Sequence, residues 1–273
     1  MQQIHIFTIN IYRTIYKPAL RFDTISQSIK SYEYAVRGAI AIRAMEIRKQ
    51  MEQGVKFNFT ETTPLNIGNP QELGQKPITY NREVLACILN ENLCDEGFIS
   101  RDAAERANGY LDSLPFRAAG AYTESAGMSL VKQEVKEYIE KRDDLETSAD
   151  DIYLVNGASE GITTIIRLLI SQSNDGIMIP NPQYPIYSAL ITKFKGQIVP
   201  YYLDEDQDWG LNVDNLEKAF QNAVDNGTNI KAIAIINPGN PTGQVLSQEN
   251  LQDVLKFAHD KGIFVMADEV YQK

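Results

Sequence analysis

Two apolar segments near the end of the sequence each lead into residues that could bind a ligand. Segment 233–236 runs into the loop 237–243, Asn-Pro-Gly-Asn-Pro-Thr-Gly, and segment 263–267 runs into 268–271, Asp-Glu-Val-Tyr. Both apolar segments are typical of parallel strands covered on two faces, and open α/β sheets bind ligands beyond the carboxyl ends of such strands. A carboxylate, a phenol and an amide at one edge therefore indicate a binding site, although Asn-Pro-Gly-Asn-Pro alone is an ordinary turn signal.

A third loop has the features of an anion site. Residues 156–159, Asn-Gly-Ala-Ser, stand between a predicted strand and a predicted helix. The free N–H groups and the macrodipole at a helix N-terminus attract phosphate, and the Ser159 hydroxyl can add another donor. The alternative is that Ser159 is a plain helix cap, since serine is common there.

A fourth loop presents an aromatic ring on a restrained backbone. Residues 180–185, Pro-Asn-Pro-Gln-Tyr-Pro, follow a predicted strand, and their three prolines limit the backbone conformations. The ring of Tyr184 could therefore lie flat against an aromatic ligand at little cost in conformational entropy. A tyrosine packed in the core is the alternative interpretation.

Alternating strands and helices would position these loops. The pattern predicts a mainly parallel sheet with helices on both faces, which is an α/β fold. The predicted strands are 152–155, 177–179, 197–203, 233–236 and 263–267, and the helices between them cover 162–170, 187–193, 213–224 and 248–261, the last capped by Ser247. Earlier in the chain, helical spacing is present over 34–54, 83–93 and 128–142, with Ser100 a candidate helix cap.

The combination Asn-Pro-x-Asn-Pro-Thr-Gly and Asp-Glu-x-Tyr resembles the fold-type I aminotransferases, which use pyridoxal 5'-phosphate. The sequence is similar to alanine aminotransferases from about Tyr34 to its last residue. The similar segments are 33–38, 66–68, 74–79, 120–122, 156–159 and 182–185. The resemblance implies a pyridoxal-phosphate-dependent transferase-like (fold type I) large domain, incomplete at the C-terminus. It also implies three regions: a leader at 1–33, an N-terminal arm with part of a small domain at 34–118, and the cofactor-binding domain at 119–273.

The resemblance also implies roles for the loop residues around the cofactor. Ala158 and Ser159 hold the phosphate, and Tyr184 stacks on the pyridine ring. Asp268 faces the pyridine nitrogen, where a carboxylate favours the protonated ring. The remaining cofactor ligands, which donate hydrogen bonds to the ring oxygen, are Asn240 and Tyr271.

Three further assignments follow from the same resemblance. Asn240 contacts the substrate carboxylate, and its peptide bond to Pro241 is expected to be cis. Gly68 lines the substrate pocket, although Gly-Asn-Pro is also a simple turn. Tyr122 crosses a dimer interface to the phosphate in the partner's site, which implies a homodimer; a tyrosine packed in a loop is the alternative.

The implied reaction is the exchange L-alanine + 2-oxoglutarate to pyruvate + L-glutamate by a ping-pong mechanism. Its small-molecule partners are therefore an amino acid and a 2-oxo acid. The family's Ser-x-Ser-Lys segment, which carries the lysine that binds the cofactor, is not found in residues 1–273. We expect that lysine to lie beyond the C-terminus, and Lys273 is too close in sequence to Asp268 to replace it. No catalytic residue is therefore assigned. The alternatives are an inactive cofactor-binding or dimerising chain and another class I aminotransferase.

Bulk properties exclude several other classes of function. The 26 basic and 36 acidic residues give a net charge of −10, which argues against nucleic acid or an anionic membrane as the main partner. Two cysteines and two histidines are too few for a metal cluster, and no apolar run approaches membrane-spanning length. Residues 1–22 contain no acid and form a basic amphipathic pattern typical of a mitochondrial presequence. The predicted location is the cytoplasm or the mitochondrial matrix.

Overall fold

The computed structural model describes residues 22–34, 38–64, 68–95 and 97–272. The predicted leader lies outside this part up to residue 21, as do residues 35–37, 65–67, Glu96 and Lys273. The chain divides into two compact units, one of Met1–Thr62 with Gly157–Lys273 and the other of Thr63–Asn156. These bounds differ from those of the three predicted regions, which stay a prediction.

The secondary structure alternates regularly only in the second half of the chain. The helices before the sheet are α1 (Gln27–Lys30), α2 (Ala39–Glu52), α3 (Thr79–Leu89), α4 (Asn92–Asp95), α5 (Arg101–Asp112) and α6 (Ser129–Asp143). From there the order is α7 (Ala158–Leu169), β1 (Asp175–Asn181), α8 (Ile186–Lys193), β2 (Gln197–Tyr202), α9 (Val213–Asp225), β3 (Asn229–Ile236), α10 (Gln248–Lys261) and β4 (Phe264–Asp268).

The four strands form one parallel sheet in the order β2-β1-β3-β4. Parallel strands require a connection that crosses the sheet, and here each crossover contains a helix. The sheet confirms the predicted α/β class. In the register of β3 and β4, Ala232 pairs with Phe264 and Ile236 with Asp268, so these two strands end side by side.

Successive residues of β3 serve different cores because side chains alternate across a strand. Ala234 and Ile236 belong to a cluster that also contains residues of α7 and α8, among them Ile166 and Tyr187. Ile233 and Ile235 belong to a second cluster, formed with these residues of α9 and α10: Leu216, Val254, Phe257 and Ala258. Helices therefore cover both faces of the sheet. Burying each large aliphatic side chain contributes about 1.5–3 kcal/mol.

Local signals explain where the helices begin and end. The stripe Ile162, Ile165 and Leu169 repeats at helical spacing and packs on the first cluster. At the start of α10, the Ser247 side chain accepts a hydrogen bond from the Asn250 N–H, as its predicted cap role requires. Gly262 ends α10 in the left-handed region, with φ at 64°.

The Thr63–Asn156 unit is helical among its described residues and has a smaller core. Helix α3 packs against α5 through Val84, Cys87, Ala103 and Ala107, all of them buried. Small residues at these positions let the two helices approach closely. Ser100 precedes α5, but its hydroxyl donates to Glu83 and makes no capping bond with the helix.

Two predicted elements differ from those observed. Residues 152–155 are not a strand; they belong to the Thr63–Asn156 unit, where the Leu154 N–H donates to the Ala126 carbonyl at 2.9 Å. The apolar run is present, but these residues form no strand ladder, so the run alone was misleading. The predicted helix over 83–93 is confirmed as far as residue 89 but is not continuous, because Asn90 is extended between α3 and α4. In the described part of the chain, no helix is long and apolar enough to cross a bilayer.

Candidate functional site

The carboxyl ends of β1, β3 and β4 lie at one edge of the sheet because the strands are parallel. Each strand continues into one of the loops singled out from the sequence: 182–185, 237–243 and 269–271. The Asn237 N–H donates to the Asp268 carbonyl at 3.0 Å, which ties the first loop residue after β3 to the last residue of β4. Two of the three loops are thus held together by backbone hydrogen bonding.

The half-buried carboxylate of Asp268 is fixed by two hydrogen bonds. Its Oδ2 accepts from the Tyr187 hydroxyl at 2.7 Å, and its Oδ1 accepts from the Val270 N–H at 3.2 Å. A carboxylate offers about four lone-pair positions, so two donors leave acceptor capacity on Asp268. Its position at the end of a strand directs this capacity toward the edge where ligands bind in such sheets.

Tyr187 approaches Asp268 from inside the core. It lies in the first turn of α8, only 1% exposed, and packs in the first cluster with Ile236 and Met266. Burial raises the pKa of its phenol, and the hydrogen bond to Asp268 raises it further. The phenol is therefore protonated at neutral pH and donates to the carboxylate.

Tyr184 precedes α8 and is held by a residue from the other end of the chain. Its hydroxyl hydrogen-bonds with the hydroxyl of Tyr34, and the two rings meet in a T-shaped contact with centroids 6.1 Å apart. Tyr184 packs against the cluster that contains Tyr187. The phenol contact and the cluster together restrict the orientation of the Tyr184 ring.

The loop after β3 is closed by internal hydrogen bonds. The Leu246 N–H donates to Asn237 Oδ1 at 2.9 Å, and the Gly239 N–H donates to the Gln244 carbonyl at 2.9 Å. The Asn240–Pro241 peptide is cis, as the resemblance predicts, and so is Asn237–Pro238. Closure of the loop holds Asn240 at the carboxyl edge.

Asn240 and Tyr271 are in direct contact. The Asn240 Nδ2 donates to the Tyr271 hydroxyl at 3.1 Å. Asn240 is half-buried and Tyr271 is exposed, so the pair lies on the solvent side of the loop. The structure thus joins the two residues that the resemblance assigns to one ring oxygen. Their hydrogen bonds to that oxygen stay a prediction.

The N-terminus of α7 leaves exposed the residues that were predicted to bind a phosphate. Gly157 occupies the cap position with φ at 83°, and a Cβ added there would meet no atom within 4 Å. Ala158 and Ser159 are exposed, and N–H groups in a first helical turn have no intrahelical acceptor. Because α7 packs against α8, this N-terminus belongs to the same side of the sheet as Tyr184 and Tyr187.

The remaining candidate residues belong to the Thr63–Asn156 unit. A Cβ added to Gly68 would meet no atom within 4 Å, and the Tyr122 side chain is fully exposed. Their assignments to the substrate pocket and to a partner's phosphate stay predictions. Residues 66 and 67 of the segment that suggested Gly68 lie outside the described part.

Sequence reasoning missed two residues at this edge, Tyr34 and Tyr187. Each forms a hydrogen bond with a predicted site residue that is distant in the sequence. The repeated tyrosine of Tyr184-Pro-Ile-Tyr187 was the available signal for the second. A spacing of three places both near the first turn of one helix, but it does not show which neighbour each hydroxyl meets.

The fold defines the class of protein. Similar solved structures include an alanine aminotransferase from Pyrococcus furiosus, with a TM-score of 0.69, 25% identity and coverage of 90% of this chain and 52% of that chain. An aspartate aminotransferase from Thermus thermophilus has a TM-score of 0.64 at 16% identity, covering 91% of this chain and 53% of that chain, which shows a shared fold.

The family follows from sequence. The model for aminotransferase class I and II matches residues 88–273, so this chain belongs to that family. Alanine aminotransferase 1, mitochondrial, from Arabidopsis thaliana is 45% identical over 256 residues, which are 92% of this chain and 47% of the relative. Glutamate–glyoxylate aminotransferase 1 from the same plant is 43% identical, with coverages of 93% and 52%. The chain thus spans about half the length of the curated relatives it matches.

Proposed function

We propose that this chain is part of an alanine aminotransferase that converts L-alanine and 2-oxoglutarate to pyruvate and L-glutamate. The observation that carries the proposal is the 45% identity to an alanine aminotransferase over 92% of the chain. The activity is proposed for a polypeptide that also carries the family's cofactor-binding lysine.

The residues at the carboxyl edge fit pyridoxal 5'-phosphate as the cofactor. The donor set combines a fixed carboxylate at Asp268, a restrained ring at Tyr184 and an exposed helix N-terminus at Ser159. Gln183 Oε1 is also buried there and accepts no hydrogen bond from the described part of the chain. This set matches a ligand with a basic ring nitrogen, a flat ring and a phosphate.

The residues around the cofactor ring have distinct tasks in the proposed site. The cofactor, when bound, supplies the electron sink for the exchange of an amino group. Asp268 holds positive charge at the ring nitrogen, because an opposite charge nearby stabilises a cation. Tyr184 covers one face of the ring and excludes water from it. Asn240 and Tyr271 donate hydrogen bonds to the ring oxygen.

Three further assignments complete the proposed site. Ala158 and Ser159 bind the phosphate through the N-terminus of α7. Gly68 contributes backbone to the substrate pocket, where Asn240 binds the substrate carboxylate. Tyr122 reaches the phosphate in the second subunit of a homodimer, a role that its full exposure in the described chain allows.

A second substrate pair has nearly equal support. The relative named glutamate–glyoxylate aminotransferase is 43% identical, only slightly below the 45% of the alanine aminotransferase. An assay with alanine and 2-oxoglutarate beside glutamate and glyoxylate, on a form that carries the lysine, decides between them. We expect the first pair to give the higher kcat/KM, and a higher value for the second pair would reassign the substrates.

The compartment is proposed to be the mitochondrial matrix or the cytoplasm. Mitochondrial relatives support the first location, including a probable alanine aminotransferase of Dictyostelium discoideum that is 40% identical over 273 residues, 97% of this chain and 51% of the relative. Microscopy of the protein with and without residues 1–22 fused to a fluorescent reporter distinguishes the two locations.

The cofactor proposal can be tested on the 273-residue chain with pyridoxamine 5'-phosphate, whose amine needs no covalent bond to lysine. Isothermal titration calorimetry should detect saturable binding. Asp268→Asn should weaken it about 10-fold or more, because a hydrogen bond to a charged group is lost. A matched control is Asp253→Asn, an exposed change on α10. An absence of binding by the wild-type chain would contradict the proposed cofactor.

The alternative of an inactive, cofactor-binding chain makes a different prediction. Such a protein binds pyridoxamine phosphate but produces no pyruvate from alanine in any longer form of the chain. Pyruvate formation coupled to lactate dehydrogenase measures this directly. Binding with no activity in a lysine-containing form would favour the alternative.

A further inference from the structure

We propose that Tyr187 is a positioning residue that fixes the Asp268 carboxylate toward the ring nitrogen of the cofactor. The proposal deepens the proposed function and rests on it. Tyr187 does not reach the ligand edge itself: it is 1% exposed and packs among apolar side chains beneath Asp268. Its effect on a ligand is therefore exerted through the carboxylate.

The contact with Tyr187 helps to fix the orientation of the Asp268 carboxylate. Tyr187 occupies Asp268 Oδ2 at 2.7 Å, while the Val270 N–H occupies Oδ1 at 3.2 Å. The second bond comes from an exposed turn and is longer, so the phenol is the firmer of the two ties. Without the Tyr187 hydrogen bond, the carboxylate could rotate about its side-chain bonds and would no longer be oriented toward a nearby cation.

The burial of the hydroxyl supports the same role. A buried hydroxyl with no partner costs free energy, and phenylalanine would fill a similar volume in this cluster without that cost. The hydroxyl of Tyr187 donates to Asp268. Tyrosine at this position therefore couples the core beneath the sheet edge to the carboxylate above it.

The chain contains a matched comparison on the other face of the same sheet. Tyr201 on β2 is also 1% exposed, and its hydroxyl donates to the Ala234 carbonyl at 2.7 Å. It belongs to the second cluster, whereas Tyr187 belongs to the first. Removing either hydroxyl leaves one acceptor without its bond, but only Tyr187 touches Asp268.

The first test is a double-mutant cycle on the ligand-free chain. Unfolding in urea is measured for Tyr187→Phe, Asp268→Ala and the double variant. The coupling between the two changes should be about 10-fold in the unfolding equilibrium constant, as expected for a hydrogen bond to a charged group. Tyr201→Phe combined with Asp268→Ala should be additive. Additive effects for Tyr187 would overturn the proposal.

The second test separates positioning from general stability by changing the ligand. Tyr187→Phe should weaken pyridoxamine 5'-phosphate binding about 5- to 10-fold. The analogue with C–H in place of the ring nitrogen should bind the wild-type chain and Tyr187→Phe with equal affinity. Tyr201→Phe should change neither affinity. An equal loss for both ligands would indicate a merely structural tyrosine and reject the proposal.

The outcomes separate this proposal from the proposed function. If the wild-type chain binds neither ligand, the proposed cofactor fails, and the folding cycle still decides whether Tyr187 holds Asp268. If Tyr187→Phe does not fold, NMR of the wild-type chain replaces it. The Tyr187 hydroxyl proton should then exchange slowly, and at least 10-fold faster in Asp268→Ala; equal rates would reject the contact.

Discussion

The amino and carboxyl edges of the sheet each hold an aspartate, and the two carboxylates have opposite surroundings. Asp175 begins β1, is 1% exposed, and accepts from the Ser171 N–H and hydroxyl, the Gln172 N–H and the Asn229 side chain at 2.7–2.9 Å. Asp268 ends β4, is half-buried, and accepts from Tyr187 and Val270. The Asp175 carboxylate is saturated by hydrogen-bond donors from its own chain. The Asp268 carboxylate can still accept further hydrogen bonds.

The difference separates stability from binding. Four donated hydrogen bonds tie the loop after α7 and the start of β3 to Asp175, so its carboxylate organises the amino edge. A fully satisfied carboxylate has little left to offer a ligand. The two hydrogen bonds to Asp268 orient its carboxylate but leave lone pairs that can accept hydrogen bonds from a ligand. Residue type alone therefore does not distinguish the two roles.

The largest expected effect is a loss of stability from Asp175→Ala. The change leaves several buried donors without an acceptor, and we expect a loss of about 3–5 kcal/mol in the free energy of unfolding. Asp268→Asn keeps an acceptor for Tyr187 and should cost less than about 1 kcal/mol. Urea unfolding followed by circular dichroism measures both. Equal losses would remove the distinction between the edges.

The pH dependence of stability should report on the Asp175 carboxylate at the amino edge. Burial alone would raise the pKa of Asp175, but hydrogen bonds from Ser171, Gln172 and Asn229 hold it well below its ordinary value. A depressed folded-state pKa stabilises the fold above the unfolded-state pKa of about 4, and this contribution is lost as the pH falls below it.

The stability advantage of the wild type over Asp175→Ala should therefore be largest near pH 7. Between about pH 4 and pH 2 it should shrink progressively, since the Asp175 carboxylate of the unfolded wild-type chain takes up a proton while that of the folded chain stays ionised. Unfolding free energies from urea titrations at several pH values give this difference. A constant difference across that range would show that the ionised form of Asp175 is not what stabilises the amino edge.

Glycines at the two edges should respond differently to added side chains. The expected losses in the free energy of unfolding lie between those for Asp175 and Lys231. A Cβ on Gly176 of β1 would lie 2.4 Å from Thr228 Cγ2, so Gly176→Ala should cost about 1–3 kcal/mol by overpacking. Gly157 has open space but φ at 83°, so Gly157→Ala should cost about 1 kcal/mol through backbone strain.

Asparagine sharpens this comparison because it tolerates the left-handed region better than alanine. Gly157→Asn should be less destabilising than Gly157→Ala, whereas Gly176→Asn should be more destabilising than Gly176→Ala. Thermal unfolding of the four variants gives the order. The same order at both positions would mean that packing and backbone strain do not distinguish the edges as described.

The smallest expected effect concerns Lys231. Its ammonium lies 3.5 Å from Asp175 Oδ1, but the side chain is 36% exposed. Solvent screens such a pair, so Lys231→Met should change the free energy of unfolding by about 0.5 kcal/mol or less, and high salt should reduce the difference further. A larger loss, measured by urea unfolding at low and high salt, would show that Asp175 depends on its cation and not mainly on its neutral donors.

Local signals in the sequence predicted the elements that position the candidate site. The end of β3 at Ile236 and both bounds of α10 with its Ser247 cap are confirmed, because apolar runs and caps are encoded by neighbouring residues. The alternation of strands and helices predicted a parallel sheet, which was sufficient to place Asp268 and the loop after β3 at one edge. The predicted strand 152–155 is wrong because strand formation needs a partner, which a periodic pattern does not supply.

The partners of the site residues could not be predicted in the same way. Tyr187 and Asp175 have buried hydroxyl and carboxylate groups whose hydrogen bonds depend on tertiary packing. Nothing in the spacing of Tyr34 and Tyr184 indicates that their hydroxyls meet. The functional assignments of Ser159, Tyr184 and Asn240 derive from the family resemblance and stay predictions.

The contacts that hold the two site tyrosines also impose an order on biosynthesis. Tyr34 and Tyr184 are 150 residues apart, and Tyr187 and Asp268 are 81 apart. A ribosome that releases the chain from its N-terminus therefore supplies the first pair long before the second. The aromatic side of the candidate site can assemble on the nascent polypeptide while its acidic side is still untranslated, so these contacts are complete only after β4 has emerged.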